Sequence, residues 1–290
     1  MSIYVKHRQP LTLLKTSFNV LVSHPIILVP LIVAALIHIF ILEILYFAPR
    51  FPLSILFAPL IRQSAGEMFL HYPYNFILMA RWYYTLQVPL YILFNSYFLA
   101  VSVVIIQIIN NDQGVDIQSI YQRVFRRYGH IFLAALLSIG ALVFCNHAYL
   151  ALIRELLAAP LVGRMGERMN WLIISLLPYL SLLLAVVITT LFAFVIPVIV
   201  LENKGIWDAL RENFRIIRKS FWFVFSVLFL PYLLYIPFLL LRMDTTILDL
   251  LRIPDAMIIV LGVAVCAMLI VEAIQYTAIT LYYLLWKETT

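Results

Sequence analysis

The sequence predicts an all-α polytopic membrane bundle of six transmembrane helices, with three amphipathic interfacial helices on the cytoplasmic side. Three observations predict it. Of 290 residues, 64% are hydrophobic and only 12% are charged, with a mean hydropathy of +1.02, whereas a soluble domain carries about 25% charge. The apolar residues gather into six runs long enough to cross a bilayer, which takes roughly 20 residues. Ahead of three of these runs stand short stretches with one apolar and one polar or basic face. The solvent of this chain is therefore lipid over most of its length, and a single membrane domain spans residues 1–290.

In chain order, the first stretch is Pro10–Ser23, with Leu11, Leu14, Phe18 and Leu21 on one face and Thr12, Lys15 and Asn19 on another. Pro10 suits a first helical turn. The first span, Pro25–Phe47, is too long for a signal-peptide core and lacks a small-residue cleavage site, so no cleavable signal is expected. Pro49–Arg81 is apolar but short and broken by prolines, and is expected to lie in the outer interface or dip back into it. The second span is Trp82–Ile109. Val115–Tyr128 follows, with Ile117, Tyr121, Val124 and Tyr128 facing one way and Arg123, Arg126 and Arg127 clustered near its end, where cations suit the helix dipole.

Ile131–Ile153 and Trp171–Leu201 make the third and fourth spans, joined by a short connection with polar edges. Next, Gly205 is expected to let the chain turn and Asn203 to cap a helix. On that helix Ile206, Leu210, Phe214 and Ile217 share a face with Trp207 beside them, while Asp208, Arg211, Glu212, Arg215 and Lys219 oppose them. Phe221–Leu241 and Met257–Trp286 complete the six spans.

Orientation follows the basic residues. The N-terminus, second and fourth connections and C-terminal tail carry 12 Lys and Arg against 8 on the other side, and all five lysines fall in the first group. Both termini are therefore expected in the cytoplasm. Gly114 and Gly205 stand 91 residues apart, each ahead of an amphipathic helix, which suggests repeats over 10–109, 110–201 and 202–290. The net charge of +6 sits beside the spans, so it points to anionic lipid and not to nucleic acid. The basic surface comprises Arg123, Arg126, Arg127, Arg211, Arg215, Arg218 and Lys219. Cys145 and Cys266 lie inside apolar runs and are expected to act as small core residues with no disulfide.

Of 34 charged side chains only Glu43 and Glu272 fall within the six runs. Ionisable groups inside a bilayer are costly and are functional candidates by default. Glu43 lies near the outer end of its span, five residues from His38, so the two diverge around the helix; His38 can bond to a neighbouring helix. Glu272 lies mid-span with Gln275 on the same face. A carboxylate there must be protonated, paired or facing water; it could bind a cation, relay a proton or pair with a buried base. Asn146 and His147, like Asn95, Ser96 and Gln107, suit hydrogen bonds between membrane helices. Prolines 89, 178, 197, 231 and 237 are expected to kink their spans. Metalloprotease, nucleophile-elbow and phosphate-loop motifs are absent, and the six histidines are scattered without metal-ligand spacing, so no catalytic residue, metal or cofactor is expected.

The stretch around Pro197, Leu201-Glu202, Gly205, Ala209-Leu210 and Arg218-Lys219 before Phe221 resembles a group of bacterial six-span proteins that includes the membrane domain attached to some glycerophosphodiester phosphodiesterases. A Ser often stands in that group where this chain has Asn213. The resemblance implies a fold and a bacterial inner membrane; nothing in this chain corresponds to the catalytic domain. The expected function is a scaffold, assembly factor or accessory subunit of a membrane complex, with other membrane proteins as partners. The alternative is a transporter or lipid-handling protein that uses Glu272.

Overall fold

A computed structural model describes residues 9–158, 167–237 and 255–289, and every regular element among them is helical. Among the described residues five helical stretches are long and apolar enough to cross a membrane: Pro25–Phe47, Tyr74–Asn110, Tyr128–Glu155, Tyr179–Glu202 and Ala256–Thr289. The remaining expected span, Phe221–Leu241, begins inside a described helix that ends at Tyr232, and its last residues lie outside the described ones. The connections over 159–166 and 238–254 lie outside them too.

Helix α1 (Pro10–Ser23) runs into a short 3-10 turn and then α2 (Leu28–Phe47). Helix α3 (Ser54–Ser64) lies in the connection between the first two of these stretches, closed at its end by the Arg62–Glu67 ion pair at 2.6 Å. Helix α4 (Tyr74–Leu90) begins eight residues before the expected Trp82, because YNFILMA is itself apolar and Arg81 turns outward. A π-helical turn, Tyr91–Asn95, joins it to α5 (Ser96–Asn110). Helix α6 (Ile117–Arg126) is capped by Asp116, which accepts from the Gln118 N–H at 3.2 Å. Then follow α7 (Tyr128–Ala158), α8 (Glu167–Leu191), α9 (Val195–Glu202), α10 (Ile206–Tyr232) and α11 (Ala256–Thr289).

The central post is α5, where every residue from Leu99 to Ile106 is buried. A helix apolar all round belongs inside a bundle, and α2, α6, α7, α9 and α11 pack around this one. Ser102 anchors it by donating to the Ile27 carbonyl at 3.1 Å. The second fully buried run, Phe194–Val200, is α9 with its leading residue.

Helical faces differ from the expected ones. On α1 the buried face is Leu13, Ser17, Val20 and Leu21, which packs on α11 and α10, while Leu11 and Phe18 point outward. On α10 it is Ile206, Ala209, Asn213, Ile216 and Ile217, while Trp207 and Phe214 are exposed. On α6, Ile120 and Val124 are buried and Ile117 is exposed. These struts therefore carry a protein-facing stripe and separate exposed apolar residues on the outside. Non-helical angles at Ser220 separate the strut part of α10 from its apolar part.

The turn before α10 is also made differently. Asn203 adopts the left-handed conformation (φ 59°) and closes α9, while Gly205 is extended and occupies the cap position of α10 with no side-chain hydrogen bond. Asn203 thus caps the C-terminus of one helix and not the N-terminus of the next. Its short polar side chain tolerates that conformation.

Both cysteines are free, and Cys266 is exposed on α11, so it is no core residue. Pro197 has no N–H to bond the Ala193 carbonyl and crowds it, and the fourth span breaks at residues 192–194. Pro89 precedes the π turn, Pro231 sits one residue before the end of α10, and Pro237 stands beyond it. The Pro178 side chain lies outside the described ones.

Candidate functional site

A cavity of about 620 Å³ opens among α2, α4, the π turn, α7, α8, α10 and α11. Pockets for small molecules have roughly this size, about 300–1,000 Å³. Two separately packed apolar clusters border it, one around α5 and one joining α2, α4 and the first half of α11.

Four of the six intramembrane residues singled out from sequence line this space: His38, Asn146, Glu272 and Gln275. Glu43 and His147 do not; both are exposed on the outer surfaces of their helices. The reason is angular. One residue along a helix turns the side chain by about 100°, so His147 cannot share the face of Asn146, and Glu43 diverges from His38 as its spacing requires.

His38 is bonded from both sides of its ring. Its Nε2 lies 3.0 Å from Asn95 Oδ1 on the π turn, and Nδ1 lies 3.3 Å from the Tyr83 hydroxyl on α4. With Asn95 Oδ1 accepting, Nε2 carries the proton, and Nδ1 accepts from the Tyr83 O–H, an arrangement that suits the neutral ring. Asn146 accepts from the Ser181 hydroxyl at 3.3 Å, tying α7 to α8 on the cavity wall.

Glu272 is 7% exposed and lines the cavity, and none of the described residues donates a hydrogen bond to it or forms an ion pair with it. Gln275 shares its face, yet gives its amide to the Leu228 carbonyl of α10 at 2.7 Å. Around the carboxylate stand Tyr91, Tyr232 and Tyr276, all within electrostatic reach of it; the Tyr91 and Tyr276 hydroxyls are 3.2 Å apart. These tyrosines come from three separate segments and share no sequence spacing, which is why this group of hydroxyls was invisible in sequence.

Both irregular segments beside the cavity have their freed backbone groups satisfied by side chains. The Tyr128 hydroxyl donates to the Leu93 carbonyl inside the π turn at 2.8 Å. At the break in the fourth span, Asn213 accepts from the Phe194 N–H at 3.0 Å and donates to the Leu191 carbonyl at 2.6 Å, fully buried. Non-helical backbone at membrane depth needs such partners.

A second constellation gathers at one end of the bundle. Glu202, at the end of α9, meets Lys204 and Lys287, each at 2.5 Å, and accepts from the Tyr283 hydroxyl. This carboxylate holds the Lys204 ammonium above its ordinary pKa, chiefly through that hydrogen bond. Arg123 donates to the Val200 carbonyl at 2.9 Å, and Arg127 to Asn203 Oδ1. Lys219 lies 5.6 Å over the Trp286 ring. The second connection, the fourth connection and the end of α11 are thereby locked together. Arg126, Arg211, Arg215 and Arg218 stay exposed; Arg215 pairs with Glu212 at 2.8 Å and Arg211 lies 3.9 Å from Asp208.

Among the described residues no three His, Cys, Asp or Glu side chains are grouped so as to hold a metal ion. Comparison of the chain with protein families, with curated proteins and with solved structures finds no match.

Proposed function

We propose that this is a bacterial inner-membrane protein that handles a small or lipidic molecule through the Glu272 cavity, as a transporter or lipid-handling protein. One observation carries the reading: a buried carboxylate with no hydrogen-bond or ion-pair partner among the described residues faces a cavity large enough for a ligand. An unpaired ionisable group at membrane depth is expensive to keep unless it has a use. The broken fourth span and the π turn beside the cavity support the same reading, because irregular backbone of this kind commonly flanks sites where helices rearrange. The expectation of a scaffold or accessory subunit stands beside it, but no feature of the cavity calls for it.

In this reading the chain crosses six times, the fifth crossing beginning at Phe221, with both termini cytoplasmic. The three struts rest on the cytoplasmic leaflet, where Arg126, Arg211, Arg215 and Arg218 meet anionic headgroups. Left-handed Asp112 and Asn203 stand 91 residues apart, the same offset as Gly114 and Gly205, which supports a repeat of span, turn and strut. The likeness to the membrane domain of glycerophosphodiester phosphodiesterases fits this layout.

Filling the cavity tests the reading. Wild type and Ala264→Phe, whose ring would enter the cavity from α11, are purified in mild detergent and their bound small molecules identified by mass spectrometry. A molecule retained near one per chain by wild type and missing from the variant is the expected result. Identical contents in the two would remove the reading, and fixed protein partners in whole-number ratio would return the scaffold to first place.

A further inference from the structure

We infer that the Glu272 cavity takes an organic monocation: an ammonium- or phosphonium-type head on an apolar body. The inference rests on the reading of the cavity as a ligand site and adds the chemistry of what fills it.

The charge inside the cavity is one-sided. Glu272 is its carboxylate, and no Lys or Arg stands among the described residues that line it. His38, the one imidazole there, has Nε2 bonded to Asn95 and Nδ1 to Tyr83, so neither nitrogen is left to meet an anion. Gln275 has turned its neutral amide toward the Leu228 carbonyl and brings no charge. An anionic ligand would thus find a like charge and no counter-charge, which excludes it by repulsion and desolvation together. An apolar neutral ligand would leave the buried carboxylate uncompensated, and a neutral hydrogen-bond donor would still leave its charge unbalanced. A cation supplies the missing partner.

The walls then set the rest of the molecule. A bare inorganic cation wants several oxygen ligands at once, and one carboxylate does not make that set. The cavity of about 620 Å³ is instead lined mainly by aliphatic side chains and tyrosines, with a few amides and hydroxyls among them, and Tyr91, Tyr232 and Tyr276 stand beside the carboxylate. Aromatic rings attract weakly hydrated organic cations, and aliphatic walls accept an apolar body that water would rather release. Carboxylate, aromatic rings and apolar walls together describe a site for a lipophilic cation.

Two probe ions of nearly equal size and shape and opposite charge separate charge selection from mere cavity filling. Binding of tetraphenylphosphonium and of tetraphenylborate is measured by equilibrium dialysis, in separate samples, with empty micelles subtracted. The full chain is compared with Glu272→Gln, which keeps the shape, and with Ala264→Phe. Expected is saturable phosphonium binding near one per chain, weakened more than about 30-fold in Glu272→Gln, the loss typical when one member of a buried charge pair is removed. Ala264→Phe should abolish it, and the borate should not bind saturably. Equal phosphonium affinity in Glu272→Gln, or borate bound as tightly at a site that Ala264→Phe closes, would overturn the inference and leave the cavity a ligand site. Absence of saturable binding for both ions also overturns it; the broader reading falls only if wild type and Ala264→Phe carry the same extracted molecules.

Discussion

Asn213 does more for this structure than any catalytic-looking residue. Its side chain closes two backbone groups that the break at residues 192–194 leaves open inside the bundle. An unmade buried hydrogen bond costs about 1–3 kcal/mol, so Asn213→Ala should destabilise the protein by about 2–4 kcal/mol. Thermal unfolding in detergent measures this, and Asn213→Ser, which keeps one donor and one acceptor at shorter reach, should recover part of the loss. If Asn213→Ala melts with wild type, the clamp is unimportant. Glu202 plays a comparable part at the end of the bundle. In Glu202→Gln the last turns of α11 lose their anchor through Lys287 and Tyr283. Cleavage after Lys287 by a lysine-specific protease should become faster while the melting of the helical core stays near wild type.

The struts α1, α6 and the first half of α10 each face two ways, and their cations divide accordingly. Arg123 and Arg127 are bonded to the fourth connection, whereas Arg126, Arg211, Arg215 and Arg218 lie open. Neutralising the open four to Gln should lower the anionic lipid that co-purifies with the protein and leave its stability within about 0.5 kcal/mol, as for ordinary surface changes. Replacing Arg123 and Arg127 should instead lower the melting temperature with little change in bound lipid. Quantitative lipid extraction beside thermal melts separates the two; equal lipid loss in both variants would contradict the division. Among the longer helices, continuity matters less than where it fails. The π turn aims Tyr91 and Asn95 at the cavity, and the break before α9 gives Asn213 its task.

Seen whole, the molecule joins its second and fourth connections at one end through Arg123, Arg127 and Asn203. Cysteine tags placed near Arg126 and near Arg215 should therefore react with a membrane-impermeant reagent from the same side of the bilayer, and opposite accessibility would refute the arrangement. Much of this layout was legible in the sequence. A helix long and apolar enough to cross a membrane runs over the expected Pro25–Phe47, and four more such helices overlap expected spans, with ends shifted by one to eight residues. The second began earlier because Tyr74–Ala80 is as apolar as the run it joins.

What could not be read was azimuth. Hydropathy adds along a run and needs no partner, so the membrane class, the positions of the spans and the segregation of charge follow from the chain alone. Lipid tails and a protein interior are equally apolar, so no periodicity tells the lipid side of a span from the bundle side. Hence Leu13 and not Leu11 packs inward on α1, and Cys266 faces out. For the same reason only the folded bundle decided that Glu272, His38 and Asn146 share a cavity with Tyr91, Tyr232 and Tyr276 while Glu43 and His147 stand outside it. Those neighbours come from distant parts of the chain, and their meeting depends on how each helix is turned about its own axis.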